Sequence, residues 1–284
     1  MAVLAIAGGT GGVGKTVVEQ LSLHGAHHTV YILTREVDMT PMASHRGHGD
    51  ISLTLHHQIP PKPILEHARF LKVDYGHVDS LTKTLQDHKI DTVISTINLE
   101  TEAGSQAQLG LIEAADKSST TRRFIPSEFV ALIDEEYVPC RYYHALTPIS
   151  VHSDPNSGPG IGGWIPNARA LKKTNLEYIR ISIGLFSDYW AMPRIKSNLK
   201  PFQWLLDMEK GIAVIPGSGN EKFTVTYSED LARVIVKLLD VDEKWPKRGF
   251  LSGSDISINE VIVTAEKIRG MSPIKSLSLH AEVF

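Results

Sequence analysis

An apolar run over residues 2–7 leads directly into Gly8-Gly9-Thr10-Gly11-Gly12-Val13-Gly14-Lys15-Thr16. A buried strand that breaks into a glycine turn and re-forms as a helix is the opening unit of a phosphate-binding α/β sheet, and few other folds accommodate it. Two readings compete. Gly8, Gly11 and Gly14 satisfy G-x-x-G-x-x-G, a dinucleotide-binding turn, whereas Gly9 to Thr16 also satisfies G-x-x-x-x-G-K-T, the phosphate loop of nucleotide hydrolases. In both, glycines allow backbone N–H groups to approach phosphate at a helix N-terminus. Only the second gives Lys15 and Thr16 work, as γ-phosphate and Mg²⁺ contacts, and its one candidate strand-end acid is Asp74.

Strand and helix signals alternate beyond the turn. Helical periodicity covers residues 13–24, with Val17, Val18 and Leu21 on one face and Gly25 as a stop. Strands are expected over residues 29–33, 70–73, 92–97 and 123–126, with helices over 79–88 (Leu81 and Leu85 inward) and 106–117 (Leu109, Ile112 and Ala115 inward). A short helix at 166–173 and an apolar strand at 176–183 follow. A helix over 228–240 then carries Leu231, Val234, Ile235 and Leu238 behind a Thr226…Glu229 capping box, and a helix opened by Ser257…Glu260 stops at Gly270. Repeated strand–helix units with buried-type strands imply a doubly wound parallel α/β sheet, with its ligand crevice at the carboxyl ends of the strands. Residues 36–67 and the turn-rich 153–160 interrupt the rhythm, and a loop as long as the first is usually functional or mobile.

The second strand carries the next constraint. NAD-binding turns place an acid at its tip to hold the ribose 2′-hydroxyl, and NADP-binding ones place an Arg near the 2′-phosphate. Here the tip holds Arg35, with Glu36 and Asp38 beyond it, which favours NADP.

Composition narrows the partners. Among 284 residues, 42% are hydrophobic and the net charge is -3, so there is no basic field for nucleic acid and no apolar run long enough to cross a membrane. Cys140 is the only cysteine, which fits a reducing, cytoplasmic compartment, as does a start without a secretory pattern. Thirteen histidines include His45, His48, His56, His57 and His67, but their Gly/Pro-rich setting lacks ligand spacing and no metal site is expected.

At Arg123-Phe124-Ile125-Pro126-Ser127-Glu128-Phe129 the chain closely resembles the NmrA-like/isoflavone-reductase-like branch of the atypical short-chain dehydrogenases. The resemblance extends to the Gly8–Gly14 turn, Asp74, Asp91-Thr92-Val93-Ile94-Ser95, Leu176-Glu177-Tyr178, Gly184-Leu185-Phe186-Ser187-Asp188-Tyr189-Trp190 and Phe223-Thr224-Val225-Thr226, with a texture most like fungal members. It implies a Rossmann domain over 1–150, completed by 175–184 and 223–252, and a smaller C-terminal substrate lobe from 151–174, 185–222 and 253–284. It implies NADP held by Gly8, Thr10, Gly11, Gly12, Val13 and Gly14, by Arg35, by Asp74 and Tyr75, by Ser95, Thr96 and Ile97, and by Pro126, Ser127, Glu128 and Phe129. Trp164, Phe186, Tyr189, Trp190 and Met192 are the expected substrate wall, two of the last four being equally explicable as core.

A reductase needs a proton donor or oxyanion stabiliser beside the hydride path. No tyrosine here has Lys four positions on. Isoflavone-reductase-like enzymes place a Lys on the helix before the Leu-Glu-Tyr strand, and that position falls near Trp164 in this chain. Lys172 and Lys173, two turns on, and Tyr142, Tyr143 and His144, from the long stretch after Phe129, are the remaining candidates. The expected activity is NADPH-dependent reduction of a small aromatic or polyketide-like metabolite in secondary metabolism, by a monomer or homodimer. A non-redox isomerase, dehydratase or cyclase on the same scaffold and an NADP-sensing regulator without turnover stand as alternatives.

Overall fold

A computed structural model of the chain describes residues 1–35, 68–130 and 163–279. The first half runs β1 (Val3–Ala7), α1 (Gly12–His24), β2 (Thr29–Thr34), β3 (Ala68–Lys72), α2 (Val78–Asp87), β4 (Thr92–Ser95), α3 (Glu102–Lys117) and β5 (Arg123–Ile125). The second half runs α4 (Trp164–Lys172), β6 (Glu177–Tyr178), β7 (Arg180–Ser182), β8 (Leu185–Phe186), α5 (Asp188–Ala191), β9 (Leu206–Asp207), β10 (Ile212–Pro216), β11 (Lys222–Thr226), α6 (Ser228–Leu239), β12 (Arg248–Phe250), β13 (Ser254–Ser257), α7 (Ile258–Ile268) and β14 (Lys275–Leu279).

Six parallel strands form the main sheet in the order β3-β2-β1-β4-β5-β6. This is the doubly wound order, in which the chain reverses direction of travel between β1 and β4 and opens a crevice above their carboxyl ends. Helices cover both faces. Leu4, Ile6 and Ile32 pack with Val17, Leu21, Leu231 and Ile235 on one side, while Ala5, Leu33 and Val93 pack with Leu81, Leu85, Leu111 and Ile112 on the other. Alternate residues of each strand therefore feed opposite cores, which explains why residues 2–7 are apolar without alternation.

The helices that the periodicity predicts form, with several adjustments. α1 ends at Gly25, and the Ser257/Glu260 capping box opens α7. α3 begins four residues earlier than the apolar pattern, because the Thr101 hydroxyl accepts from the Gly104 N–H (3.0 Å) and caps it. The Thr226…Glu229 capping box does not form. The Thr226 hydroxyl donates to Ile183 O (2.9 Å) instead, tying β11 to the connection between β7 and β8, and Tyr227 stands at the cap without a side-chain bond. Val234, expected inward, is 39% exposed, and Ala232, Val236 and Leu239 complete the buried face. The single strand expected at 176–183 divides. Its first part pairs with β5, while β7 leaves the main sheet and pairs with β12.

Two three-stranded sheets, β13-β11-β8 and β14-β10-β9, lie beyond the main sheet. They enclose a separate core of Leu206, Ala213, Ile258, Val261, Ala265 and Ile274. No helix among the described residues is long and apolar enough to cross a membrane.

Candidate functional site

The glycine turn resolves by conformation. Gly8 has φ +77°, in the left-handed region, and Gly11 N–H closes the turn on Gly8 O (2.9 Å). α1 starts at Gly12 with Gly11 as its cap, so Gly14, Lys15 and Thr16 already lie within the helix. A Cβ on Gly14 would stand 2.2 Å from Gly8 O, so this glycine lets the helix press onto the turn. Thr16 is 1% exposed, and its hydroxyl donates to Gly12 O (3.0 Å) and accepts from Asn198 Nδ2 (3.2 Å). That hydroxyl is engaged internally and is no Mg²⁺ ligand. Lys15 is half-buried on the same helical turn. The geometry is that of the dinucleotide turn. The first-turn amides of a helix have no partner within it, and here Gly12 and Val13 border an open groove.

That groove, about 1850 Å³, runs across the carboxyl ends of β2, β1, β4 and β5. It exceeds the 300–1,000 Å³ of a typical single small-ligand site and so has room for a dinucleotide and a second molecule. Of the residues read from sequence it gathers Gly8, Thr10, Gly11, Gly12, Val13, Arg35, Asp74, Tyr75, Thr96, Ile97, Ser127, Phe129, Trp164, Lys173, Phe186 and Tyr189. Gly14 and Ser95 lie beneath the floor, both buried.

At the β2 end Arg35 is exposed beside Tyr75, whose hydroxyl donates to Leu33 O (3.3 Å). Burial pushes the Tyr75 phenol far above its ordinary value, and the neighbouring Arg35 charge opposes this only in part. At the β4 end Thr96 seals the turn, its hydroxyl donating to Ala7 O (2.8 Å). At the β5 end the Ser127 N–H donates to the buried Gln108 side chain (2.9 Å). Pro126 and Glu128 do not border the groove. The Glu128 carboxylate, 5% exposed, instead meets Arg180 Nε at 2.5 Å in a buried ion pair that fastens this loop to β7.

The far wall is aromatic. Phe186 and Tyr189 meet edge to face (centroids 6.2 Å apart), and Tyr189 meets Phe202 at 5.3 Å. Tyr189 is pushed up to about 12, first by burial and then by the Asp188 and Glu100 charges, so its phenol keeps its proton at neutral pH. Trp190 turns the other way, stacking with Trp204 and Phe223 and donating from its indole to Trp204 O (3.1 Å). Met192 also lies off the groove, so of these four expected wall residues only Phe186 and Tyr189 border it.

The lysines fare differently from expectation. α4 begins with Trp164 at the groove beside Leu99, and it ends with Lys172 near the chain that enters β6, where Asn175 N–H donates to Asp116 at the end of α3 (2.9 Å). Helices in such a sheet run antiparallel to the strands, which carries Lys172 and Lys173 to the edge opposite the glycine turn. Lys173 touches only that remote end of the groove, with Asp116, Ala170 and Thr174. Tyr142, Tyr143 and His144, Cys140 and the histidine-rich 36–67 stretch lie outside the described residues. Sequence reasoning missed Asn98, Leu99 and the segment Leu199-Lys200-Pro201-Phe202, all of which border the groove. The latter has no periodicity that marks it, and only its aromatic residue hints at a wall.

A doubly wound sheet with a dinucleotide-type turn at its switch point defines the class of the protein as Rossmann-like α/β. The chain belongs to the NmrA-like family, whose model matches residues 2–144. It is 29% identical to Oxidoreductase BOA1 of Botryotinia fuckeliana over 98% of this chain and 81% of that one. Among solved structures it superposes on a ternary complex of leucoanthocyanidin reductase from Vitis vinifera with a TM-score of 0.64 at 20% identity, covering 98% of this chain and 77% of that one. AtPrR2 with NADP+ and (+)pinoresinol gives 0.65 at 17% identity, covering 98% and 78%.

Proposed function

We propose that this protein is an NADPH-dependent reductase of a small aromatic or polyketide-like metabolite. One observation carries the reading: the amide-lined turn, a tip bearing Arg35 and a wall of Phe186, Tyr189 and Phe202 border the same groove. Both the fungal relative's description as an oxidoreductase and the NADP+ and pinoresinol in the AtPrR2 complex support it. The groove fits a phosphorylated dinucleotide on its own chemistry, since the first-turn amides of Gly12 and Val13, without partners among the described residues, border it and its β2 tip offers a cation where an NAD site needs an acid.

In this reading Gly11, Gly12 and Val13 hold the diphosphate, Arg35 the 2′-phosphate, and Tyr75 flanks the adenine. Thr96, Ile97, Ser127 and Phe129 lead toward the nicotinamide end. The cofactor supplies hydride when bound. Phe186, Tyr189 and Phe202 exclude water and present flat apolar surface to a ring. Tyr189 Oη keeps its proton and serves as a hydrogen-bond donor to a substrate oxygen. No group among the described residues partners that hydroxyl, so it is available for the role.

A second reading has its own support. Trp164, and no lysine, occupies the groove end of α4, which favours non-redox isomerisation, dehydration or cyclisation over hydride transfer. NADPH oxidation followed at 340 nm with a panel of phenolic and polyketide-like carbonyl compounds separates the two. Oxidation with stoichiometric product supports the reductase. Product without oxidation moves the assignment to the second reading, and tight NADP+ binding with no product from any compound moves it to a sensor.

A further inference from the structure

The segment 196–202 has no regular structure, yet it is anchored at residues 196–198 and lies across the glycine turn. A Cβ on Gly12 would meet Asn198 O at 3.0 Å and the Leu199 Cα at 3.1 Å, so this backbone rests on the first turn of α1. Its anchors are polar bonds, two of them to the buried Asp188 and Thr16. Ser197 Oγ donates to Asp188 Oδ1 (2.7 Å), and the same buried carboxylate accepts from Ser228 N–H (2.9 Å) and Ser228 Oγ (2.5 Å). Asn198 Nδ2 donates to Thr16 (3.2 Å), and Lys196 bridges Glu19 (2.9 Å) and Glu229 (3.2 Å). The terminal Thr of the G-K-T string is thus a fastening point for this strap.

Next to Leu199, Lys200 is exposed and borders the groove, with no partner among the described residues. Among the described residues the other groove-lining cations are Arg35 at the β2 tip and Lys173 at the remote end. A diphosphate on the α1 amides would therefore lie beside the strap, and Lys200 is the cation the strap brings to that edge of the groove. We propose that the 196–202 strap is the outer wall of the diphosphate site and that Lys200 is its charged contact, independent of the Arg35 contact to the 2′-phosphate. This rests on the NADP reading of the groove.

Calorimetric titration of the whole chain with 2′-phospho-ADP-ribose and with 2′-AMP tests it without reference to turnover. The first ligand carries the diphosphate and the second does not. Lys200→Ala is expected to weaken 2′-phospho-ADP-ribose about tenfold, one charge-assisted phosphate contact, and to leave 2′-AMP within about twofold. Lys200→Arg restores binding, and Lys200→Glu weakens it further. Arg35→Ala weakens both ligands, which separates the two cations. Unchanged 2′-phospho-ADP-ribose binding in Lys200→Ala overturns the inference while leaving the NADP reading intact, as does a loss seen only with intact NADP+, which would move Lys200 to the nicotinamide end. Failure of the unmodified protein to bind either ligand overturns the NADP reading and the inference with it.

Discussion

The two walls of the groove are built by different means. The turn side is made of backbone, held on consecutive short strings at the tips of β1, β2, β4 and β5. The aromatic side is made of side chains from segments far apart in the chain, Phe186 and Tyr189 after β8 and Phe202 beyond the strap. Backbone geometry at a strand tip tolerates almost no change because the sheet over-determines it, whereas a side-chain wall is exchanged residue by residue. One framework thus keeps a single kind of ligand at one wall while varying the other.

The comparison breaks first if the turn proves replaceable. Gly14→Val inserts atoms where even a Cβ stands 2.2 Å from Gly8 O, and the expected result is failure to fold or a loss above about 3 kcal/mol, read from denaturant unfolding. A folded variant of near-normal stability would show that the turn is slack. Glu128→Ala removes the carboxylate that meets the buried Arg180 at 2.5 Å, so it should lower stability in denaturant unfolding while NADP/NAD preference stays unchanged in the folded fraction. Altered cofactor preference would return Glu128 to the binding surface.

Arg35→Ala changes function without stability. The guanidinium is exposed, so the melting temperature should hold while preference for NADP+ over NAD+ falls about ten- to a hundredfold by fluorescence titration. Equal preference in the unmodified chain would remove the role. On the other wall, Phe202→Ala should raise the KM for substrate several-fold, about 1 kcal/mol of lost ring contact, with cofactor affinity unmoved. Tyr189→Phe should lower kcat, but the rate profile of the unmodified enzyme should show no limb from this phenol between pH 6 and 9, because its titration sits near 12.

The smallest effect lies away from the groove. His28 is held below its ordinary 6.5 by burial first and then by the His27 charge, with Asp240 opposing. The unfolded chain therefore takes up this proton before the folded one does, and stability falls as pH drops below about 6.5. Asp240 is held down chiefly by its hydrogen bond from His27, so its contribution is present above the ordinary carboxylate range and is lost only in stronger acid. His28→Gln should flatten the decline between pH 7.5 and 5.5 by about 1–2 °C in melting temperature. An unchanged slope would show that another group titrates there. The ring has one constraint of its own: Nδ1 accepts from the Ala2 N–H (3.2 Å), which fixes the neutral proton on Nε2, toward Asp240.

What was legible in the sequence was local. The strand–turn–helix at Gly8–Gly14, the helical faces of α1 and α2, the Ser257 capping box and the Arg35 tip all depend on residues within one turn or one strand of each other. Chain distance hid the rest. Thr226 reads as a helix cap until β8 and its neighbours bring Ile183 O within 2.9 Å, and Trp190 reads as a wall residue until Trp204 and Phe223 claim it. The remote position of Lys172 follows from the direction of α4 relative to the sheet, and the strap over Gly12 from contacts across some 180 residues of chain. Sequence alone determined a doubly wound sheet and the chemistry of its first turn, because strand, turn and helix preferences are set by neighbours. Only the tertiary structure decided which side chains face the groove, because burial and pairing are settled by partners that the chain brings together from a distance.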